Sequence, residues 1–305
     1  MTVQTKFRGV WIPIVTPFRR GEIDTVALAS MAKRMERDGV SGFVACATTG
    51  EGHLLADQER ALVLGTLASS SSLPIVVGAS GYTAVEVLQR AKLSQPFNPA
   101  AILVASPPYL KPSQASLQAF FTEIADAAGL PVILYDIPAR TGVRLELDTV
   151  LSLAEHANIL AIKDCGGRPE QTESLILDGR LDVLSGNDGE WYATRCLGGA
   201  GAIAASAHIR TDLFVRLDHL LEAGERARAQ ELWSRLKPLT RGLFNEPSPA
   251  PLKTLLAAMG ECGDEIRAPF LGASDELRSS LMALVSQLPS REQLPAPSVS
   301  SNAYS

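Results

Sequence analysis

The stretch "ILAIKDCGG", residues 159–167, joins an apolar run to a lysine, an acid and two glycines. The run has no alternation of apolar and polar residues, which is typical of a β-strand that is buried on both faces. Lys163 would then stand at the carboxyl end of a buried strand. Removing an ammonium group from water costs several kcal/mol unless the charge is paired or neutralised. A lysine at this position therefore needs a function.

Seven other stretches of the chain share this short, almost continuously apolar pattern. They cover residues 9–17, 41–49, 73–80, 100–108, 130–138, 181–188 and 201–208. Segments with helical spacing lie between them, for example 25–39 and 116–129, and both of these close on a glycine, a common helix stop. Eight strand–helix units predict an α/β fold of the (β/α)8 or TIM-barrel type.

The pattern changes to an almost wholly helical one from about residue 211 to residue 291. The first helix of this region completes the eighth strand–helix unit. The last residues are rich in proline and serine, which favours disorder. The sequence thus predicts a barrel that carries the active site over 1–228, a C-terminal helical extension over 229–291, and a disordered tail over 292–305.

The composition argues against binding of nucleic acid, insertion into a membrane and a disulfide framework. The 305 residues carry a net charge of −5, which gives no reason to expect nucleic acid or an anionic membrane as a partner. No apolar stretch reaches the 18 or so residues that a membrane helix needs. The four cysteines are scattered without a Cys-x-x-Cys pair, as in reduced cytosolic proteins. We expect a cytoplasmic protein without a metal site or cofactor.

The ends of the predicted strands hold the candidate site, because a TIM barrel builds its active site at the carboxyl ends of its strands. The polar and small residues there are Thr16, Thr48, Thr49, Ser80, Tyr109, Tyr135, Arg140, Lys163, Gly186 and Asn187, with Ile203 beside them. An amine among phenols and hydroxyls suggests carbonyl chemistry. Burial is expected to lower the pKa of Lys163, so that a free amine attacks a ketone to form a Schiff base. A tyrosine would then move the protons.

Five motifs that follow one another along the chain carry a resemblance. They are "GVWIPIVTPF" (9–18), "ATTGE" (47–51), "YDIPARTG" (135–142), "AIKDCGG" (161–167) and "PSPAPLK" (247–253). Together they resemble the dihydrodipicolinate synthase/N-acetylneuraminate lyase family of pyruvate-dependent class I aldolases, over residues 8–290 or nearly the whole chain. The combination is much more specific than any one of the motifs.

The resemblance implies a role for each residue that matches a family motif. Lys163 would form the Schiff base with the ketone carbon of pyruvate, and Tyr135 would be its general acid/base. Thr48 and Thr49 would hold the pyruvate carboxylate. Thr48 would also relay protons between Tyr135 and Tyr109. That Tyr109 would come from a neighbouring subunit, so a complete site would need at least a dimer.

Further positions concern substrate choice and assembly. Ile203 matches a residue whose backbone carbonyl faces the keto acid, and Gly186 lies beside it. Arg140 stands where the synthases of lysine biosynthesis hold the carboxylate of L-aspartate 4-semialdehyde, and a guanidinium suits bidentate binding of a carboxylate. The resemblance therefore favours the synthase branch, with pyruvate and an aldehyde as substrates. It also implies a homotetramer built as a dimer of dimers.

The chain departs from the family pattern at three places near the site. Ala47 replaces the usual glycine before the threonine pair, Asp136 replaces the usual asparagine after the tyrosine, and "DCGG" (164–167) replaces an acid-Ala-Thr-Gly sequence. We expect Asp136 and Cys165 to alter the pocket that receives the second substrate.

Regulation and two alternatives remain open. Where lysine-inhibited synthases carry a histidine, an asparagine and an extra tyrosine, this chain has Asp57, Tyr82 and Pro108, which predicts weak or absent inhibition by L-lysine. One alternative is a sister aldolase or dehydratase that acts on a 2-keto-3-deoxy sugar acid or another keto acid. The other is a family member that has lost turnover and acts as a keto-acid binder or regulator. Taken alone, Lys163 could also merely pair with Asp164 or Asp188.

Overall fold

Eight parallel strands close into a barrel in the computed structural model, which describes residues 7–290. The barrel strands are β1 (Gly9–Ile12), β4 (Gly42–Ala45), β5 (Ile75–Gly78), β6 (Ala101–Ala105), β7 (Val132–Asp136), β8 (Ile159–Asp164), β9 (Asp182–Ser185) and β10 (Gly201–Ile203). Their order around the barrel is β1-β10-β9-β8-β7-β6-β5-β4, and β4 pairs back with β1. The two remaining strands, β2 (Phe18–Arg19) and β3 (Glu22–Ile23), form a small antiparallel hairpin.

Helices alternate with the barrel strands and continue beyond them. They are α1 (Thr25–Arg37), α2 (Asp57–Ser70), α3 (Ala84–Ser94), α4 (Gln114–Ala127), α5 (Pro138–Thr141), α6 (Leu147–Leu153), α7 (Pro169–Asp178), α8 (Trp191–Cys196), α9 (Thr211–Glu222), α10 (Arg226–Gly242), α11 (Ala250–Ala258) and α12 (Asp275–Ser286). Helix α9 follows β10 and is the eighth barrel helix. The predicted TIM barrel with a C-terminal helical extension is confirmed.

The observed strands are shorter than the apolar stretches that predicted them. Strand β1 ends at Ile12, immediately before Pro13, which has no N–H to donate to a neighbouring strand. Helix α1 ends at Arg37, close to the predicted stop at Gly39, whose φ of +90° lies in the left-handed region that favours glycine. Local residue chemistry thus sets where these elements stop.

Alternation along the strands divides the core into two parts. Outward-facing side chains such as Ile102 and Leu134 pack with the helices, whereas inward-facing ones such as Leu103 and Ile133 fill the barrel. Because Tyr135 is two residues beyond Ile133, its side chain also points into the barrel. The barrel interior is therefore closed by apolar side chains below and by the candidate site above.

The C-terminal helices pack on the barrel and do not form a separate core. Leu252 and Leu255 of α11 and Leu281 of α12 share one buried cluster with strand and helix residues of the barrel. The proposed domain division at residues 228 and 229 falls inside α10, which begins at Arg226. The predicted disordered tail over 292–305 lies outside the described residues.

Of the helices between residues 7 and 290, none combines the length and the apolar character needed to cross a membrane. Within the same part of the chain, His, Cys, Asp and Glu side chains nowhere gather in threes that could hold a metal ion.

Candidate active site

Lys163 and Tyr135 lie side by side at the carboxyl ends of neighbouring strands. The register of β7 and β8 pairs the two residues directly, so both side chains point into the top of the barrel. Both are buried, and the Lys163 Nζ lies 4.4 Å from the centroid of the Tyr135 ring. The structure thus brings the two principal predicted residues into contact.

The charge state of Lys163 differs from the expectation. Burial by itself lowers the pKa of Lys163, but the electrostatic influence of Tyr135, Cys165 and Asp188, together with a hydrogen bond with Tyr135, outweighs burial and raises the pKa above its usual value. The prediction of a lowered pKa was wrong, because it counted the apolar strand but not the groups that surround the amine. The ammonium is the resting form, and a proton must leave before the nitrogen can act as a nucleophile.

Lys163 is not explained as one half of an ion pair. Among residues 7–290, neither Asp164 nor Asp188 forms a salt bridge with it. Asp164 accepts hydrogen bonds from the Thr172 hydroxyl at 2.5 Å and from a loop N–H. Asp188 accepts bonds from the backbone N–H and the hydroxyl of Ser206, each at 2.6 Å. A buried amine without a salt-bridge partner is expected of a nucleophile and not of a structural cation.

The Tyr135 phenol is protonated at neutral pH. Burial raises its pKa, while Lys163 and a hydrogen bond with the Thr48 side chain act in the opposite direction. The phenol can therefore donate a proton, and Thr48 lies where it can pass one on. Thr48 and Tyr135 also line a cavity of about 80 Å³ at the carboxyl ends of β4, β5 and β6.

Gly186 leaves the space that the Lys163 side chain occupies. A β-carbon at this position would lie 2.7 Å from the Lys163 Cγ, 2.8 Å from its Cε and 2.5 Å from the Cys165 Sγ. Burial raises the pKa of Cys165 to about 12, so its thiol is neutral. The "DCGG" departure therefore places an uncharged thiol beside the Lys163 side chain.

Thr48 and Thr49 belong to a tight turn that follows β4. The Glu51 N–H donates to the Thr48 carbonyl at 3.1 Å, and the Thr16 hydroxyl donates to the Gly50 carbonyl at 2.7 Å. Two non-glycine residues that bracket the turn, Cys46 and Glu51, have φ values of 54° and 53°, a conformation that needs support from surrounding contacts.

Ile203 and Arg140 occupy opposite kinds of environment. Ile203 ends β10, is buried, and packs with Tyr135 inside the barrel. Arg140 is exposed on α5, and its Nη2 donates to the Ser248 carbonyl at 3.3 Å. Its positive charge acts on Tyr135 and His53. It opposes the burial that raises the pKa of Tyr135, and it adds to the burial that lowers the pKa of His53. A cation is thus available at the entrance to the site.

Tyr109 does not join the other residues within this chain. Its side chain is 86% exposed, and the next residue, Leu110, is 56% exposed. Tyr109 and Lys111 have φ values of 70° and 48°, and the Tyr109 N–H donates to the Thr141 carbonyl at 3.2 Å. The loop after β6 therefore presents an aromatic and an aliphatic side chain to the outside.

Asp136, which replaces the usual asparagine after the tyrosine, lies on the face of β7 opposite to Tyr135. Since it follows the inward-facing Tyr135, its carboxyl group points to the outer face, where it accepts from the Leu145 N–H at 3.0 Å. Burial raises its pKa to about 6. Its Oδ2 lies beside Gly166 in the loop after β8, next to the Asp164 carboxyl group. Ala47, by contrast, does line the cavity beside Tyr135.

The comparisons with known proteins agree with this geometry. The model of the dihydrodipicolinate synthetase family matches residues 6–288. The chain belongs to this family. Its match covers every strand of the barrel and all of the C-terminal helices from α9 to α12.

Named relatives of this dihydrodipicolinate synthetase family member are similar over almost their full length. The chain is 34% identical to 4-hydroxy-tetrahydrodipicolinate synthase 2 of Clostridium acetobutylicum, over 90% of this chain and 98% of the relative. It is 34% identical to the 4-hydroxy-tetrahydrodipicolinate synthase of Thermodesulfovibrio yellowstonii, over 90% and 96%. The crystal structure of the chloride-inhibited dihydrodipicolinate synthase from Acinetobacter baumannii, complexed with pyruvate, superposes with a TM-score of 0.89 at 31% identity, over 92% and 98%.

Two pairs of interacting residues beside the site were not predicted from the sequence. Ser206 holds Asp188 near Lys163, and Lys253 contacts Glu51 of the threonine turn. Both pairs join residues distant in sequence. The only available signal was the position of Asp188 after β9 and of Lys253 in the "PSPAPLK" motif.

Proposed function

We propose that this protein is a Schiff-base lyase that condenses pyruvate with L-aspartate 4-semialdehyde, the activity of a 4-hydroxy-tetrahydrodipicolinate synthase. The names of its relatives support this activity. The observation that carries the proposal is the buried Lys163 beside the Tyr135 phenol, because an amine without a salt-bridge partner next to a proton donor is what imine formation requires.

The chemistry follows from these two side chains. The free amine of Lys163 attacks the ketone carbon of pyruvate, and the ketone oxygen leaves as water after taking up protons. The resulting iminium draws electrons from the adjacent methyl group, which loses a proton. The carbon so activated forms a bond with the aldehyde carbon of the second substrate, whose oxygen takes a proton. The amino group of the second substrate then attacks the iminium carbon and displaces the Lys163 amine, which closes the product ring and frees the lysine for the next cycle. Tyr135 supplies and removes protons, and Thr48 connects it to the outside.

The carboxylate contacts are assigned to different groups. We propose that Thr48 and Thr49 bind the pyruvate carboxylate through hydroxyl and N–H groups, and that the Ile203 carbonyl and Gly186 border the keto acid. Arg140 is proposed to bind the carboxylate of the aldehyde. The exposed position of Arg140 supports this assignment, because the second substrate must enter from outside, after the imine with pyruvate has formed.

A complete site is proposed to need a second subunit that supplies Tyr109. The support is that Tyr109 and Leu110 expose two large apolar side chains next to each other, and exposed apolar patches often mark contacts with another chain. We propose a homotetramer, a dimer of dimers. We also propose a cytoplasmic location, which the four free cysteines support.

Mixing two inactive variants tests the shared site. Lys163→Ala lacks the nucleophile and Tyr109→Ala lacks the supplied phenol, so each alone is expected to be nearly inactive. After subunit exchange, a mixed dimer contains one site with both residues, and activity is expected to return. No recovery, with exchange verified by native mass spectrometry, would contradict a supplied Tyr109.

The test of the proposed activity is turnover of both substrates, coupled to the reductase that consumes the product. A rate on the order of 1–10³ per second is expected of a working enzyme. Borohydride with pyruvate, followed by intact mass, tests the imine separately, with Lys163→Ala as its control. An imine without turnover would mean that the acceptor is another aldehyde or keto acid. No imine would refute the mechanism.

A further inference from the structure

The "PSPAPLK" motif (247–253) has no part in the proposed chemistry, yet its lysine reaches the active-site end of the barrel. Lys253 lies on α11 and is fully buried, with its Nζ 2.6 Å from the Glu51 Oε1. The same Nζ donates to the Thr16 carbonyl at 3.0 Å and stands 4.3 Å from the centroid of the Phe18 ring. A cation is therefore placed beneath the turn that contains Thr48 and Thr49.

Glu51 ends that turn and is held from the C-terminal region through both carboxylate oxygens. Its Oε1 accepts from Lys253, and its Oε2 accepts from the backbone N–H of Arg267 at 2.9 Å. Glu51 has a left-handed φ of 53°, and its own N–H closes the turn onto the Thr48 carbonyl. This strained conformation persists only while surrounding contacts hold it.

A buried ion pair of this kind is strong because it is shielded from water and satisfied by further hydrogen bonds. Without Lys253, the Glu51 carboxylate would be a buried anion with one partner fewer. The side chain would then turn toward solvent, and the backbone of the turn would follow. The hydroxyl and N–H groups of Thr48 and Thr49 would consequently lose their fixed positions.

We propose that Lys253 and Glu51 are positioning residues, and that their ion pair fixes the turn that binds the pyruvate carboxylate. The C-terminal helices thereby set the affinity for pyruvate. The inference rests on the proposed function and assigns to it a second layer of residues that never touch the substrate.

The test compares variants of this pair with variants of a matched pair elsewhere. Arg195 and Asp218 form a buried ion pair at 2.8 Å, with side chains 5% and 8% exposed. Arg195 also donates to the Gly199 carbonyl, and Asp218 lies near Gly9, so this pair is at the opposite end of the barrel. Loss of either pair should lower the melting temperature, but only the loss of Lys253–Glu51 should change pyruvate binding.

The variants are Lys253→Met, the double variant Glu51→Gln/Lys253→Met, and the control Arg195→Met/Asp218→Asn. We measure the pyruvate KM, kcat and the melting temperature, and we titrate the borohydride-trapped imine with pyruvate. The double variant is expected to melt higher than Lys253→Met, because it leaves no unpaired buried charge. Its pyruvate KM is nevertheless expected to remain raised at least about tenfold, with a much smaller change in kcat.

Two results would overturn the inference. One is a normal pyruvate KM in the folded double variant, which would make the pair purely structural. The other is an equal rise of KM in the Arg195/Asp218 control, which would indicate general loosening. Failure of the proposed function is distinguishable from both, since the unmodified protein would then trap no pyruvate, or would trap pyruvate without turning over L-aspartate 4-semialdehyde.

Discussion

Replacing Gly186 by alanine should displace the nucleophile without removing it. A β-carbon at this position would approach the Lys163 Cγ to 2.7 Å, its Cε to 2.8 Å and the Cys165 Sγ to 2.5 Å. All three distances are well below the ordinary separation of about 3.5–4.0 Å between non-bonded carbon atoms. The Cγ is close to the backbone of β8 and cannot swing away as the end of a lysine side chain can. The amine must therefore move.

The expected loss follows from the size of that movement. Relieving contacts that are short by roughly 1 Å requires a shift of similar size in the amine, and such a shift costs on the order of 10²-fold in rate. Overpacking costs about 1–3 kcal/mol, which a protein with about 5–15 kcal/mol of stability tolerates. Gly186→Ala should thus remain folded, with imine formation slowed about 10²-fold. The assay is the initial rate of borohydride-trapped pyruvate adduct, read by intact mass.

Two companions make this prediction specific. Gly189→Ala is the control, because its β-carbon would meet nothing closer than the Asn187 Oδ1 at 3.6 Å, and it should trap pyruvate at the unmodified rate. Adding Cys165→Ala to Gly186→Ala removes the thiol contact but neither contact with Lys163, so it should not restore the rate. Normal trapping by folded Gly186→Ala would contradict displacement of the Lys163 amine. Full rescue by Cys165→Ala would show that the thiol contact alone causes the loss.

Four other results are expected. Tyr135→Phe should slow turnover by about 10²–10⁴-fold if the phenol is the acid/base, and near-normal turnover would exclude that role. Arg140→Ala should raise the KM of the aldehyde and leave pyruvate trapping unchanged; weaker pyruvate binding would show that its role is different. Because the pKa of Lys163 is raised, the free amine is a minor form, and imine formation should accelerate as the pH rises from 6 to 9, whereas a flat profile would contradict a protonated resting state. L-Lysine should inhibit weakly or not at all, since Asp57, Tyr82 and Pro108 stand where lysine-inhibited synthases carry a histidine, an asparagine and an extra tyrosine; a micromolar inhibition constant would contradict this.

The fold and the principal site residues could be predicted because both are local in sequence. Each buried strand is a short apolar run, and the residue after it necessarily lies at the carboxyl end of the barrel. Lys163 and Tyr135 were recognisable for this reason, and β7 and β8 place them in register. The alternation of side chains along a strand is also local, and it places the Asp136 carboxyl group on the face of β7 opposite to Tyr135.

The barrel, the strand ends and the identity of the amine follow from local patterns of residues. The charge state of that amine and the contacts that support the site follow from the folded arrangement of the chain. The pKa of Lys163 depends on Asp188, Cys165 and Tyr135, and the threonine turn depends on Lys253, about two hundred residues away from Glu51. Electrostatic and hydrogen-bond energies depend on distance in space, which no local pattern of residues specifies.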